Sequence, residues 1–324
     1  MTREIKRVLV IQAGSIGEFV LSLAAMKRIR QAHPRAHITL LTSPQFEALG
    51  RASPYFNAVE TGARPEGPGE WLALRGRIAR GRYDRVYDLE GSRRTNLLFQ
   101  MLRPFPPEWS GPAAGARLRH RNPDRQTMHI LERQAQQLQA AGIWPDAPTA
   151  PGDAPIPDLS WILRKAAEPR PVPGAAAPRP FVLLVPGGGE HRPEKRWPIA
   201  RYAELARLLR ERGYDIVIIG GPQESALARI IQKAVGQARD LTGRTDFAQI
   251  AVLGARAALA VGNNTGPVHL IAAAGAPTIA LFDGSSEALV NTPRGHVAVI
   301  QAANMADLPV QTVANTAWSL LPRS

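Results

Sequence analysis

The sequence contains no cysteine. The protein therefore has no disulfide bond, no thiolate zinc site and no cysteine nucleophile. A chain without cysteine is compatible with a reducing compartment. Any catalytic chemistry must depend on other side chains.

Long hydrophobic runs are missing as well. No apolar stretch approaches the roughly 20 residues that a membrane-spanning helix needs. Residues 1–7, MTREIKR, are charged and lack the apolar segment and the small-residue cleavage site of a signal peptide. We therefore expect a cytoplasmic protein.

Acidic residues are outnumbered by basic ones. The chain has 40 Lys and Arg against 27 Asp and Glu, which gives a formal net charge of +13. Such a charge favours anionic partners such as nucleic acid, anionic lipid or phosphorylated substrates, although an arginine-rich composition alone would also produce it. Nucleic-acid binding is disfavoured because aromatic residues make up only 6% of the chain and no nucleic-acid motif is present.

The first half of the chain alternates between strand and helix patterns. A β-branched run at 7–12, a glycine turn, a helical pattern at 19–31 and a second strand at 37–41 form one βαβ unit with parallel strands. Residues 103–127 show no clear period. Further elements are predicted as a strand at 85–89 and as helices at 72–80, 91–102 and 128–142.

The second half repeats this architecture after a proline-dense segment at 145–180, which indicates a linker. We expect an N-terminal domain at 1–175 and a C-terminal domain at 176–324. Both are predicted as α/β, doubly wound Rossmann-like domains whose strands end at a common cleft. Strands are predicted at 181–185, 214–219 and 277–284, and residues 257–264 are predicted as a strand that runs into a loop. Helices are predicted at 199–212, 225–235, 247–255, 267–274 and 310–321.

The first chemical motif is Ser15-Ile-Gly-Glu18, which follows the first strand. Ser15 and Glu18 have the spacing of a capping box, in which each side chain satisfies a free backbone amide. Glu18 is also a carboxylate at the carboxyl edge of a sheet, where it could accept a proton. A dinucleotide fingerprint is disfavoured because Val20 occupies the position of the third glycine and no acidic residue follows the second strand.

Two glycine-rich loops follow strands of the second half. Residues 186–189, PGGG, leave backbone amides that could bind phosphate oxygens, and Lys195 adds positive charge before the next helix. Residues 220–224, GGPQE, place Glu224 where it could bind paired ribose hydroxyls. A solvated basic loop and an acidic first helical turn are the ordinary alternatives.

The last motif is GNNTGPVH at 262–269. Its Asn, Thr, Gly and Pro favour a helix start, and the amides of that helix start would hold a diphosphate. His269 lies in the first turn of this helix. Its role is either structural or functional.

Together these motifs resemble glycosyltransferase family 9, the ADP-heptose:lipopolysaccharide heptosyltransferases. The resemblance keeps its order along nearly the whole chain, through SIGE, PGGG…KRWP, GGPQE, DLTGRT at 240–245 and GNNTGPVHLIAAAG. It implies a GT-B fold, with two Rossmann-like domains facing a central cleft. It also implies an inverting transfer of a sugar, heptose in this family, from an ADP-sugar donor to the lipopolysaccharide core or a related glycan.

The resemblance also assigns residues. Glu18 stands where the family has its proposed general base, an aspartate. Arg93 and Arg94 are expected to bind the acceptor because arginines concentrate in this part of the chain, and not because a family motif matches there. No metal or other cofactor is expected, since no Asp-x-Asp motif or His cluster is present. The positions that correspond to donor binding are Gly187, Gly188, Lys195, Glu224, Leu241, Thr242, Asn264, Thr265, Gly266 and His269.

One position departs from the family. Asn264 stands where the family usually has Asp, so a hydrogen-bonding oxygen is kept and a negative charge is lost. This substitution leaves open a non-catalytic or altered-specificity sugar-nucleotide-binding protein. A UDP-sugar donor also stays open.

The expected acceptor is an anionic glycolipid. Arginines concentrate in the second half of the first domain, and we expect that face to contact the acceptor or the inner face of the inner membrane. A solvated arginine-rich surface is the competing interpretation. The arginines concerned are Arg93, Arg94, Arg117, Arg119, Arg121 and Arg125.

Overall fold

The computed structural model describes residues 4–148, 150, 152–165, 179–188, 196–284 and 290–322. The chain divides into two compact units, Met1–Pro157 and Asp158–Ser324. The division comes earlier than the boundary expected at 175/176. Within the segment expected to be a linker, Ser160–Lys165 forms a helix that packs on a helix of the second unit.

The first unit is a parallel sheet with helices between its strands. Its helices are α1 Ile16–Ala32, α2 Glu47–Ala52, α3 Pro68–Gly81, α4 Arg93–Met101 and α5 Ile130–Ala140. Its strands are β1 Arg7–Ile11, β2 His37–Leu41, β3 Ala58–Glu60, β4 Arg85–Asp88, β5 Glu108–Gly111 and β6 Leu118–Arg119.

The strand order of this sheet is β3-β2-β1-β4-β5-β6, with every pair parallel. This is the Rossmann order: strands are added to one side of β1 up to β3 and then to the other side from β4 onward. Ile11 pairs with both Leu41 and Asp88, so the carboxyl ends of the three central strands lie level. The residues that follow them share one edge of the sheet.

The second unit has the same topology. Its strands are β7 Phe181–Val185, β8 Asp215–Ile218, β9 Arg239–Asp240, β10 Leu259–Asn263, β11 Thr278–Phe282 and β12 Val297–Gln301, in the order β12-β11-β10-β7-β8-β9. Its helices are α6 Ser160–Lys165, α7 Ile199–Glu211, α8 Ser225–Val235, α9 Phe247–Arg256, α10 Gly266–Ala273 and α11 Val310–Leu320. The prediction of two doubly wound α/β domains is confirmed.

Apolar side chains on the central strands hold each unit together. The run 181–185, FVLLV, is fully buried because helices cover both faces of a parallel sheet. On one face of the second sheet, Trp197, Tyr202 and Met305 pack with the strands in a single cluster. In the first unit, Trp109 and Phe99 pack in the corresponding cluster. In the described part of the chain, no helix is long and apolar enough to cross a bilayer.

Residues 103–127, which showed no period in the sequence, contain β5, β6 and a short 3-10 helix at Pro123–Gln126. These strands have four and two residues, too few to produce a recognisable alternation. They extend the sheet at its edge.

Candidate functional site

Glu18 lies in the first turn of α1, directly after the carboxyl end of β1. One carboxylate oxygen, Oε2, accepts a hydrogen bond from the backbone N–H of Ser15 at 2.6 Å. The Ser15 hydroxyl accepts one from the backbone N–H of Glu18 at 3.3 Å. The capping box is therefore formed, and the side chain of Glu18 is half-buried with a fixed orientation.

Gly14 makes this orientation possible. A Cβ atom at Gly14 would lie 2.1 Å from Oε2 of Glu18, closer than any real contact. The carboxylate thus folds back over a backbone that carries no side chain. The glycine of the sequence motif leaves the space that the Glu18 carboxylate occupies.

Asp88 ends β4 on the same edge of the sheet and was not predicted as a site residue. Its side chain is fully buried, and its Oδ1 accepts a hydrogen bond from the backbone N–H of Gly91 at 2.8 Å. Burial raises the pKa of Asp88 to about 6. The sequence signal that could have identified Asp88 is an acidic residue near the end of a predicted strand, followed by a glycine.

Two arginines lie near this carboxylate. Arg125 was expected on a basic surface, but that expectation is wrong, because its side chain is only 7% exposed. Its guanidinium donates to Nδ1 of His120 and to Oε1 of Gln137. Burial and the charge of Arg133 lower the pKa of Arg125 to about 10, while Asp88 opposes that change.

Helix α5 brings the second arginine, Arg133, to this edge. The helix packs on α1, with Leu21, Ile130 and Leu131 in one apolar cluster. Burial lowers the pKa of Arg133, whereas the carboxylates of Glu18 and Asp88 raise it. Arg133 therefore lies within electrostatic reach of both acidic residues.

The predicted acceptor residues Arg93 and Arg94 begin α4, which follows Asp88 in the chain. Arg93 is exposed. Arg94 is half-buried and pairs with Glu90, one turn before it. Arg93 is thus available to a ligand, and Arg94 already has a carboxylate partner.

In the second unit, Glu224 has the same relation to its backbone as Glu18. Its Oε2 accepts a hydrogen bond from the backbone N–H of Gly221, and the side chain is 8% exposed. A Cβ atom at Gly187 would lie 2.8 Å from Cδ of Glu224, and one at Gly220 would lie 2.9 Å from its Cβ. The loops after β7 and β8 therefore meet at this carboxylate, because both carry glycine there.

Asn263, at the end of β10, holds the first of these loops in place. Its Oδ1 accepts a hydrogen bond from the backbone N–H of Trp197 at 3.0 Å. Its Nδ2 donates to the carbonyls of Pro186 and Gly187, both at 3.0 Å. Sequence reasoning selected its neighbour Asn264 and missed this residue, although both are in the same motif.

The loop after β9 joins the same edge. Leu241 and Thr242 are each 6% exposed, and the Thr242 hydroxyl donates to Oδ1 of Asp240 at 2.6 Å. The backbone N–H of Gly243 donates to the carbonyl of Gly220 at 2.9 Å. Leu241 and Thr242 thus lie beside the loop that carries Glu224.

Helix α10 begins at this edge with Thr265 as its N-cap. The Thr265 side chain makes no capping hydrogen bond, and its Oγ1 is buried without a hydrogen-bond partner among the described residues. Gly266 opens the helix. The amides and the dipole of such an N-terminus favour an anion.

His269 lies one turn into α10 and is 3% exposed. Its Nε2 is 3.3 Å from Oδ1 of Asn264. Gly188, another predicted donor residue, accepts two hydrogen bonds at its carbonyl from Arg196. Lys195 lies outside the described residues.

The structure therefore assembles the predicted residues into two sets, one in each unit. Glu18 lies in the first unit together with Asp88 and Arg133, which sequence reasoning did not assign to the site. Arg125, which was expected on an acceptor-facing surface, is buried in the same unit. The described donor residues lie on the carboxyl edge of the second sheet. A cavity of about 930 Å³ lies at the opposite, amino edge of the first sheet, where β4 and β5 begin. It contains none of the predicted catalytic or donor residues, and of the arginines expected to contact the acceptor or the membrane it contains Arg117.

Comparison with known proteins shows which family this chain resembles. The family model "Glycosyltransferase family 9 (heptosyltransferase)" matches residues 71–313. Lipopolysaccharide heptosyltransferase 2 of Escherichia coli is 26% identical over 86% of this chain and 83% of its own length. Lipooligosaccharide heptosyltransferase 2 of Haemophilus ducreyi is 25% identical over 86% and 84%.

Solved structures show the same fold. ADP-heptose lps heptosyltransferase II of E. coli superposes with a TM-score of 0.74 at 24% identity, covering 97% of this chain and 98% of that one. The E. coli heptosyltransferase WaaC with ADP gives a TM-score of 0.76 at 19% identity, with 97% and 99% covered. The GT-B class, with two Rossmann-like domains, is therefore confirmed.

The family model and the relatives define an enzyme that transfers a sugar. The chain belongs to glycosyltransferase family 9, as its motifs indicated. It is a glycosyltransferase.

Proposed function

We propose that the protein is an inverting heptosyltransferase that moves heptose from an ADP-sugar to the lipopolysaccharide core or a related glycan. Family membership and relatives with that activity in their names support this proposal over most of the chain. A structural relative was solved with ADP. Heptose, ADP and the acceptor are carried over from these proteins.

One observation carries the proposal for the donor. The carboxyl edge of the second sheet presents glycine loops around Glu224 and the N-terminus of α10 behind Thr265. Backbone amides at such loops and helix starts bind phosphate oxygens, and a buried carboxylate beside them can accept hydrogen bonds from ribose hydroxyls. This combination suits a nucleoside diphosphate.

The proposed reaction has one displacement step. Glu18 accepts the proton of an acceptor hydroxyl, whose oxygen forms a bond to the anomeric carbon of the donor. The bond from that carbon to the diphosphate breaks on the opposite face, and ADP leaves with the electron pair. The configuration at the anomeric carbon is thereby inverted.

The developing charge on the diphosphate needs stabilisation. Gly187, Gly188, Thr265 and Gly266 would supply backbone amides, and Lys195 would add a positive charge. Leu241 and Thr242 would pack against the adenine. Asn264 and His269 would contact the donor sugar or its phosphates.

We propose that no metal takes part. In the described part of the chain, no group of three or more His, Asp or Glu side chains could hold one. Transfer should therefore continue in excess chelator, and loss of activity that added magnesium restores would contradict this.

We propose an anionic glycolipid as the acceptor, reached from the cytoplasmic face of the inner membrane. Exposed Arg93 and partly exposed Arg94 would contact it. Reversing both charges should weaken acceptor affinity and binding to anionic liposomes. Unchanged affinity and liposome binding would remove these two residues from the acceptor site.

The first experiment is calorimetric titration of the purified protein with ADP, UDP and GDP. ADP should bind selectively, and a variant that combines Lys195→Ala with Glu224→Ala should lose that binding. Binding of UDP in preference to ADP would point to a UDP-sugar donor. Failure to bind any of the three would contradict the proposal.

Transfer is then measured with ADP-heptose and a lipopolysaccharide core acceptor, and the anomeric configuration of the product is determined by NMR. Asn264 favours one alternative, because a neutral amide replaces the family carboxylate beside His269. Donor binding without transfer or donor hydrolysis would support that alternative, a sugar-nucleotide-binding protein.

A further inference from the structure

A buried glutamine holds the turn that leads to the proposed base. Gln12 directly follows β1 and is 2% exposed. Its Oε1 accepts a hydrogen bond from the backbone N–H of Gly14 at 3.1 Å, and its Nε2 donates to the hydroxyl of Ser22 at 2.5 Å. Because Ser22 lies on α1, the Gln12 side chain joins the turn between β1 and α1 to the helix that carries Glu18.

The Ser22 hydroxyl fixes the amide group of Gln12. It donates to the backbone carbonyl of Glu18 at 2.7 Å, and it accepts from Gln12 and from Nε2 of Gln134, the latter at 2.7 Å. A hydroxyl has one donor and two acceptor positions, so these three contacts use all of them. A flipped Gln12 amide would point its NH₂ group at the N–H of Gly14, and both would be donors. The oxygen of Gln12 is therefore directed at Gly14.

Two consecutive backbone amides in this turn are divided between two side chains. Gln12 accepts from the N–H of Gly14, while the N–H of Ser15 donates to Oε2 of Glu18 at 2.6 Å. Both acceptors lie beside the Cα of Gly14, since a Cβ atom there would be 2.1 Å from Oε2 of Glu18 and 3.1 Å from Oε1 of Gln12. Without Gln12, the N–H of Gly14 would therefore have the carboxylate of Glu18 as a neighbouring acceptor.

We propose that Gln12 is a positioning residue for the proposed base. It holds the turn in the shape that presents Glu18, and it keeps the N–H of Gly14 away from the carboxylate. A carboxylate that accepts a further backbone N–H is a weaker base, because that hydrogen bond stabilises its charged form. The inference rests on the proposed function, since Glu18 has to accept the proton of the acceptor hydroxyl. Gln12 is buried and acts through Glu18.

Gln12→Met tests this role, because methionine has a similar size and lacks the amide group. The kcat of sugar transfer should fall by about tenfold or more. The KM for the donor and the affinity for ADP should stay unchanged, because the proposed donor residues belong to the second unit. A kcat equal to that of the unmodified enzyme would overturn the proposal.

Gln134→Met is the matched control. Gln134 is 1% exposed and donates to Ser22 and, at 3.0 Å, to the backbone carbonyl of Leu89, so it joins α5 to α1 and to the residue after β4. The variant loses two buried hydrogen bonds, as Gln12→Met does, and leaves the acceptor of the Gly14 N–H in place. Its melting temperature should fall by a similar amount while most of the kcat is kept. Equal losses of kcat in the two variants would show that the role of Gln12 is purely structural.

Ser22→Ala takes the place of Gln12→Met if that variant does not fold. It removes the hydroxyl that fixes Nε2 of Gln12. Its kcat should be lower than that of Gln134→Met, because Ser22→Ala releases both glutamines and Gln134→Met releases neither end of Gln12. A kcat as high as that of Gln134→Met would contradict the proposal.

An NMR measurement follows the N–H of Gly14 without any substrate. In protein labelled with ¹⁵N-glycine, its proton resonance should move downfield in Gln12→Met, because an N–H that donates to a carboxylate makes a stronger hydrogen bond. Addition of Glu18→Gln to that variant should reverse the shift. A resonance that stays where it is in the unmodified protein, or a shift that persists without the Glu18 carboxylate, would overturn the proposal.

Failure of the proposed function gives a different result. If the unmodified enzyme transfers no sugar, or if Glu18→Gln transfers it at the normal rate, the proposed function fails and the role of Gln12 falls with it. The inference alone fails when Glu18→Gln abolishes transfer and Gln12→Met keeps the unmodified kcat.

Discussion

The two units have the same strand order but carry different chemistry at the carboxyl edge of the sheet. In the first unit, ionisable side chains lie there: Glu18, Asp88, Arg125 and Arg133. In the second, glycines and a buried amide shape loops that present backbone. One topology therefore offers ionisable groups for the proposed proton transfer in one unit and glycine loops for the proposed diphosphate binding in the other.

The largest expected effect concerns the first unit. Glu18→Gln should lower the transfer rate constant by about 10²- to 10⁴-fold, because the base is lost. Gln at this position still completes a capping box, so the melting temperature and the affinity for ADP should hold. Enzyme kinetics measure the transfer rate constant, thermal unfolding measures the melting temperature, and calorimetry measures the affinity for ADP.

Ser15→Ala is the matched control for that variant. It removes the other half of the capping box and should cost about 1 kcal/mol of stability while retaining most of the activity. A Glu18→Gln enzyme that transfers sugar at the normal rate would show that the role of Glu18 is confined to the cap.

The second expected effect concerns the backbone-rich edge. Asn263→Ala removes three buried hydrogen bonds and leaves the N–H of Trp197 and the carbonyls of Pro186 and Gly187 unpaired. Each unpaired group costs about 1 kcal/mol or more, so the free energy of unfolding should fall by roughly 3 kcal/mol.

ADP affinity should fall with it, since Asn263 holds the glycine loop. Denaturant titration and calorimetry measure the two changes. If stability fell and ADP affinity did not, the loop would be independent of the nucleotide site. Asn263→Asp can still accept the hydrogen bond from the backbone N–H of Trp197. It should therefore lower stability and ADP affinity less than Asn263→Ala does.

A third prediction concerns the pH dependence of stability. The folded-state pKa of Asp88 is raised to about 6, above its ordinary value, so its stabilising contribution is present when it is protonated and is lost as the pH rises through 6. Asp88→Asn imitates the protonated form. The free energy of unfolding of this variant should equal that of the unmodified protein near pH 4 and exceed it by roughly 2 to 3 kcal/mol near pH 8.

Chemical denaturation at the two pH values provides the measurement. A difference between the two proteins that does not change with pH would mean that Asp88 is ionised throughout this range.

The smallest expected effect tests the close approach of two loops. In Gly187→Ala, the new methyl group would lie 2.8 Å from Cδ of Glu224 and displace that carboxylate. ADP affinity should fall about tenfold. Gly69→Ala, where a Cβ atom would meet nothing within 4 Å, serves as the control and should leave affinity unchanged. Equal affinities for both variants would remove Glu224 from the nucleotide site.

The sequence predicted those features that depend on neighbouring residues. The run at 181–185 predicted a buried strand, and the spacing from Ser15 to Glu18 predicted a cap that the structure contains. The short strands β5 and β6 escaped prediction, because their pairing partners in the sheet determine them.

The grouping of charged residues in the first unit could not be predicted for a related reason. Asp88, Arg125 and Arg133 come from three separate segments that meet only when α5 packs against the sheet and α1. In the sequence, Arg125 was one arginine among several and was expected on the surface. Its burial depends on Gln137 and Gly91, which only the fold brings near it.

The two candidate glutamates share one feature with a further consequence. Glu18 and Glu224 each use one carboxylate oxygen to accept a backbone N–H three residues earlier, from Ser15 and Gly221. Each side chain has therefore lost its rotational freedom during folding and not during substrate binding, which would otherwise cost up to about 2 kcal/mol per side chain. In the proposed roles of Glu18 and Glu224, the enzyme therefore meets both substrates with these two carboxylates already oriented.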